Sequence, residues 1–202
     1  MEDNKSTIKK KLKKTNLMDA AFALFTERGF SNTSIADIAE KAKVAKGTFY
    51  LYFKDKYDLR TIITMHKAEQ VFRRAWDECD IKPSLSFENT VLKLASRTLD
   101  ILAEDRTLTT FLLKNLTFGM FRKGEIRLGE DTVDFHTLVN EALTRSKVKY
   151  RDPEIMLYMI FELIGSAGYS SIIEGTPAPI KELKPHLLYT VKGIMKMYEA
   201  EA

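Results

Sequence analysis

The sequence predicts an all-α fold of about nine helices. Apolar residues recur at spacings of three and four in segment after segment, and no run keeps the strict alternation of a half-buried strand for more than a few residues. Stops at Gly29, Pro83-Ser84, Gly124, Gly129, Pro153 and the Gly175-Thr176-Pro177-Ala178-Pro179 linker separate these segments. With 202 residues, 45% of them hydrophobic and 30% charged, the chain is long enough for one good core and a small satellite domain.

Leu17, Met18, Ala21, Phe22, Leu24 and Phe25 fall on one face of a first helix, which Gly29 ends because glycine can take the left-handed conformation. Asn32-Thr33-Ser34 follows. Asp37 stands three residues after Ser34 as a capping-box pair, and Ile35, Ile38, Ala39 and Ala42 at i, i+3, i+4 and i+7 make a short second helix. Only Lys43 and Val44 separate it from a third, AKGTFYLYF, spanning 45–53. There Phe49 and Phe53 lie with Ala45 and Tyr52, while Gly47, Thr48, Tyr50 and Leu51 share the other side. The first side is core; the second carries an aromatic, a leucine and a threonine that so small a domain does not need on its surface.

Lys54-Asp55-Lys56 makes a turn, and Lys56 to Cys79 reads as a long helix carrying Leu59, Ile62, Ile63, Met65 and Phe72. Further helices are expected over Phe87–Glu104, Thr107–Phe121, Thr132–Ser146, Pro153–Glu174 and Pro179–Tyr198. Residues 1–55 therefore form a three-helix domain and residues 56–202 a larger one, with 56–79 as the connector. Ile155 to Ile173 has a single charge, Glu162; that carboxylate, three serines and the lack of flanking basic clusters favour a buried helix over a membrane span.

Net charge is +4 and unevenly spread. Residues 1–60 hold 13 Lys/Arg against 8 Asp/Glu, and the rest hold 19 against 20. The first segment should therefore meet a polyanion, either nucleic acid or an anionic membrane surface. Within it, five of the six residues from Lys9 to Lys14 are lysine. This run reads equally as a helical extension or arm reaching phosphate or the minor groove, and as a solvated tail. Cys79 is the only cysteine, which excludes an intramolecular disulfide, and the lysine-rich start has no apolar signal core. A cytoplasmic setting is the expectation.

Two short helices joined by a tight turn make a helix-turn-helix, the arrangement that puts a recognition helix in the major groove. The stretch AFALFTERGFSNTSIADIAEKAKVAKGTFYLYFKDKYDL closely resembles the DNA-binding domain of the TetR family of transcriptional regulators. That resemblance implies that Thr33 and Ser34 supply a phosphate contact and a helix cap. It implies that Lys46, Gly47 and Thr48 enter the groove, that Tyr50 meets phosphate, and that Lys56 is the basic contact at the start of the fourth helix. The chain departs from the family pattern with Lys43 and Ala45 where Gly and Ser are common, and with Leu51 and Tyr52 at two recognition positions. A leucine there suits a thymine methyl and cannot hydrogen-bond a base edge.

The resemblance further implies a homodimeric regulator, a repressor by family habit, on a palindromic double-stranded DNA operator and released by a small, largely apolar effector. Aromatic and polar residues of the middle helices are its candidate ligands: Phe111, Asn115, Phe118, His136, Tyr158 and Glu162. The last two helices are placed to form the dimer interface, with Gly165, Gly168, Tyr169, Leu187 and Ile194 as its candidates. An electrostatic module binding nucleic acid nonspecifically, or a membrane surface, is the alternative. Nothing suggests an enzyme. His66, His136 and His186 lie far apart, no Gly-rich phosphate loop is present, and Cys79 lacks a nucleophile signature, so no catalytic residue, metal or cofactor is expected.

Overall fold

The computed structural model describes residues 2–122 and 135–200. Among them are ten α-helices and no β-strand. The chain divides into two compact units, Met1–Thr64 and Met65–Ala202, so the first takes in the opening turns of the long helix that the sequence assigned wholly to the second.

In the first unit α1 spans Glu2–Arg28, α2 Ile35–Lys41 and α3 Lys46–Phe49, and α4 begins at Lys56. The lysine run is thus a helical extension of α1, which continues to Arg28 and stops where Gly29 takes φ +88°. Ser34 caps α2: its Oγ accepts from Asp37 N–H while the Asp37 carboxylate accepts from Ser34 N–H at 2.8 Å. The Ser34 N–H first, then the Ser34 hydroxyl, which donates to the same carboxylate at 2.7 Å, and Arg28 at 2.8 Å hold the Asp37 carboxyl below its ordinary pKa. Leu17, Ala21, Ile38, Phe49, Phe53 and Leu59 form the small core, with the Phe49 and Phe53 rings 5.5 Å apart. Asp55 starts α4 by accepting from the N–H groups of Tyr57 and Asp58, each at 2.8 Å.

The second unit holds the rest of α4 (to Cys79), α5 (Phe87–Glu104), α6 (Arg106–Asn115), α7 (Phe118–Arg122), α8 (Phe135–Thr144), α9 (Pro153–Tyr169) and α10 (Ile180–Met197). The helix expected over Thr107–Phe121 is two, because Leu116 turns extended at ψ 130° with neither glycine nor proline to announce it. That turn sends α7 toward α9, where the Phe118 ring meets Tyr158 at 5.4 Å and Phe161 at 5.7 Å. The stops at Gly124 and Gly129, and the first residues of the helix expected at Thr132, lie outside the described residues.

α9 continues as a π-helical turn, Ser170–Glu174, closed by Gly175 at φ +72°. Arg106 donates to the Ile172 and Ile173 carbonyls at 2.6 and 2.5 Å, satisfying acceptors that a helix end would leave bare. The stretch Pro153–Glu174 is long and apolar enough to cross a membrane by composition alone. In the folded chain Met156, Ile160, Gly168 and Ile172 are buried, and the helix packs on α5, α6, α7 and α10. α10 lies along α5, pinned by Lys184 to Asp100 at 2.7 Å and by Lys192 to Glu88 at 3.1 Å.

Candidate nucleic-acid interface and buried cavity

α3 is four residues long, shorter than the nine-residue segment read from the sequence, and Tyr50, Leu51 and Tyr52 form a turn after it. The start of α3 is uncapped. Ala45 offers no side-chain hydrogen bond to the first N–H groups, and Lys43 occupies the left-handed region at φ +56°, a conformation that suits glycine far better. What results is a small protruding knob. Phe49 and Phe53 are buried beneath it, Lys46 and Gly47 are exposed on top, and Tyr50 and Leu51 are 55% and 78% exposed. Thr48 and Tyr52 are half-buried at its flank. A Cβ added to Gly47 would meet nothing within 4 Å, so no packing inside the chain requires glycine there.

Two residues assigned to phosphate are used internally. Thr33 is 1% exposed and its hydroxyl donates to the Gly29 carbonyl at 2.9 Å, bracing the turn between α1 and α2. Lys56 donates from Nζ to the carbonyls of Phe30 at 2.7 Å and Thr33 at 2.8 Å, with the ammonium 4.3 Å from the Phe30 ring centroid. An ammonium has three donors; two are spent on that same turn. The structure therefore gives Thr33 and Lys56 a positioning role: they fix the loop that presents Ser34 and α2. The Arg60 guanidinium covers the same ring at 4.3 Å, and Phe30 meets Tyr57 edge-on at 5.0 Å. This cation-bracketed aromatic was not legible as a unit, since its members lie up to thirty positions apart.

In the second unit a cavity of about 430 Å³ opens among α4, α5, α6, α8 and α9. Ala68, Val71 and Phe72 form its α4 wall, Leu94, Thr98 and Leu102 its α5 wall, and Leu112, Leu113 and Leu116 a third side. Leu157, Ile160, Phe161, Gly165 and Tyr169 of α9 complete it. Among the described residues, Lys114 and Glu162 are its only charged lining groups. The volume and apolar walls are those of a small-molecule site.

Residues 17–61 match the family profile described as bacterial regulatory proteins, tetR family. That match lies within the first unit and supports the resemblance to the TetR family of transcriptional regulators over the segment that holds α2, α3 and the exposed knob. The chain is 33% identical over 99 residues to the fatty acid metabolism regulator protein of Bacillus subtilis, a match covering 49% of this chain and 50% of that one. Its fold matches the fatty acid degradation regulator FadR of Bacillus halodurans with a TM-score of 0.64 at 20% identity, over 90% of this chain and 95% of that one. It also matches FadR of Bacillus subtilis, solved in complex with stearoyl-CoA, with a TM-score of 0.59 at 21% identity, over 88% and 96%.

Of the candidate effector residues, Glu162 lines the cavity. Phe111, Asn115, Phe118 and Tyr158 do not. Asn115 turns its amide back to the Phe111 carbonyl at 2.7 Å, and Phe118 and Tyr158 meet edge to face outside the lining. His136 lies on α8 with its side chain outside the described residues. Of the candidate interface residues, Gly168 and Leu187 are buried within the chain, and Gly165, Tyr169 and Ile194 are half-buried. Gly165 and Tyr169 line the cavity, Leu187 is buried in the core with Ile194 packed against it, and a Cβ on Gly168 would stand 3.0 Å from Leu99 Cδ2. The apolar side chains that α9 and α10 leave exposed are Ile155, Tyr158, Met159, Tyr189 and Met197. α9 is apolar nearly all round, so its periodicity could not say which side is core.

Proposed function

We propose that the regulator acts as a homodimeric repressor in the cytoplasm, holding a two-fold-symmetric operator through the α3 knob and releasing it when a ligand with a long aliphatic part fills the cavity. The observation that carries this reading is the pairing of two features in one chain. An exposed knob carries Lys46, Gly47, Tyr50 and Leu51, with a glycine that internal packing does not require, and an apolar cavity abuts α4. α4 runs without a break from Lys56, just after the knob, to Cys79, and supplies Ala68, Val71 and Phe72 to the cavity. A ligand pressing on those residues would bias the helix that follows the DNA-reading segment. Release then requires that the ligand bind the DNA-free state more tightly than the DNA-bound state; a coupling of about 1–3 kcal/mol changes operator affinity about 5- to 150-fold.

Ser34, Lys46, Gly47, Thr48, Tyr50, Leu51 and Tyr52 are the proposed DNA-facing set, with phosphate contacts fixing register and Leu51 offering apolar contact to a thymine methyl. Dimerisation is assigned to the outward faces of α9 and α10, where Ile155, Tyr158, Met159, Tyr189 and Met197 would be covered by a second copy. The aliphatic ligand is supported by the apolar lining, and the stearoyl-CoA complex of the Bacillus subtilis neighbour supplies a compound to try. Selection of bound fragments from genomic DNA, followed by footprinting with and without stearoyl-CoA, tests the whole reading. Two protected half-sites about one helical turn apart, unprotected once the ligand is added, are expected; protection without sequence preference would overturn it.

A further inference from the structure

The N-terminal extension of α1 carries a cationic face that the α3 knob does not account for. No carboxylate occurs between Asp3 and Asp19, so Lys9, Lys10, Lys13 and Lys14 have no acidic residue one turn away on their own helix. At 100° per residue, these four fall within an arc of about 140°. That arc is the side on which Leu17, Ala20, Ala21, Leu24 and Phe25 enter the core one turn later. The buried stripe of α1 therefore continues past the core as a stripe of exposed ammonium groups. Ile8 and Leu12, each 59% exposed, lie on the opposite side. Lys9 with Lys13 and Lys10 with Lys14 are like charges at i, i+4, which destabilise a free helix and are relieved by a polyanion.

The geometry points to a second DNA contact: the cationic stripe of the α1 extension lies along duplex phosphates outside the bases read by α3. Charge complementarity favours this occupant, because duplex DNA presents one phosphate charge per about 1.7 Å of axis, and four lysines within six helical residues place one charge per about 2 Å of helix axis, a comparable density that needs no defined sequence. The contact rests on the regulator's DNA-binding reading and adds to it a sequence-independent part of the affinity. It also separates the two functions along the chain, with specificity in the knob and a salt-sensitive clamp in the extension.

The test uses the full chain and a labelled random-sequence duplex, with affinity measured from 50 to 200 mM salt. A variant with Lys9→Gln, Lys10→Gln, Lys13→Gln and Lys14→Gln keeps helix-forming side chains and removes the charges. Each lysine–phosphate pairing that the variant abolishes should lower the slope of log affinity against log salt by about 0.9, so wild type and variant converge about 3.5-fold per pairing over that range. Replacing the same four lysines by arginine should preserve the wild-type slope. Equal slopes for wild type and the glutamine variant, with preference for genomically selected fragments intact, would overturn the inference and leave the knob's role standing. If wild type prefers no fragment, the regulator reading itself fails. If the glutamine variant keeps the DNA slope but no longer sediments with phosphatidylserine vesicles that wild type binds, the stripe serves a membrane surface and the DNA contact is wrong.

Discussion

Replacing Gly47 by alanine separates a demand made by folding from one made by DNA. In the free chain the new Cβ meets nothing within 4 Å, and the position lies inside α3 with ordinary helical geometry. Alanine is the better helix former by about 0.5–1 kcal/mol, and it loses less chain entropy on folding. Gly47→Ala should therefore raise the melting temperature, by about 2–4 °C for a chain of this size per kcal/mol gained. If the backbone at 47 approaches a phosphate closely, the methyl group keeps it from doing so. A hydrogen bond to a charged group is worth about 1.5–3 kcal/mol, so each half-site should lose about tenfold to a hundredfold in affinity. Calorimetry and fluorescence anisotropy on one preparation read both quantities. Unchanged affinity would refute the close approach, and a lowered melting temperature would refute the claim that packing leaves Gly47 free.

Three other changes probe how the first unit is built. Lys56→Met should cost stability by about 2 kcal/mol, because the Phe30 and Thr33 carbonyls lose a charged donor, while the salt slope of DNA binding stays unchanged; a slope lowered by about 0.9 would return Lys56 to the phosphates. Ala45→Ser supplies the cap that α3 lacks and should stabilise by about 1 kcal/mol in denaturant titration; no gain would mean that a hydroxyl at 45 does not reach the first N–H groups of α3. Asp37 has its folded pKa lowered by Ser34 and Arg28, so its contribution is present above about pH 4 and lost as pH falls through the folded value. The stability gap between wild type and Asp37→Asn should close as pH falls from neutrality through the acid range, and a gap constant over that range would contradict the assignment.

What the sequence made legible was local. The Ser34–Asp37 box, the glycine stop at 29, and the core placement of Ile38, Phe49 and Phe53 each depend on residues within four positions of one another. Contacts between residues far apart along the chain were not legible in this way. Lys56 and Thr33 look like surface contacts until the turn at 29–33 is seen folded against them. The break at Leu116 follows from the packing of Phe118 against α9, and no breaker residue marks it. Gly168 and Leu187 were assigned outward because α9 and α10 were read as interface helices; Leu99 and the core occupy that side instead. The cavity's existence followed from the family resemblance, whereas its walls came mainly from aliphatic side chains and not from the aromatic and polar residues that drew attention.

Occupancy of the cavity must control DNA binding if the regulator works as proposed. Gly165 lines the cavity, and a Cβ there meets nothing within 4 Å, so Gly165→Leu should fold, bind DNA as wild type does, and fill the space a ligand needs. Stearoyl-CoA, titrated onto the regulator bound to its selected fragment, should release wild type while free coenzyme A does not, and Gly165→Leu should stay bound at every concentration. Release of Gly165→Leu at the wild-type concentration, or a wild-type complex indifferent to any aliphatic ligand, would contradict the link between cavity and operator.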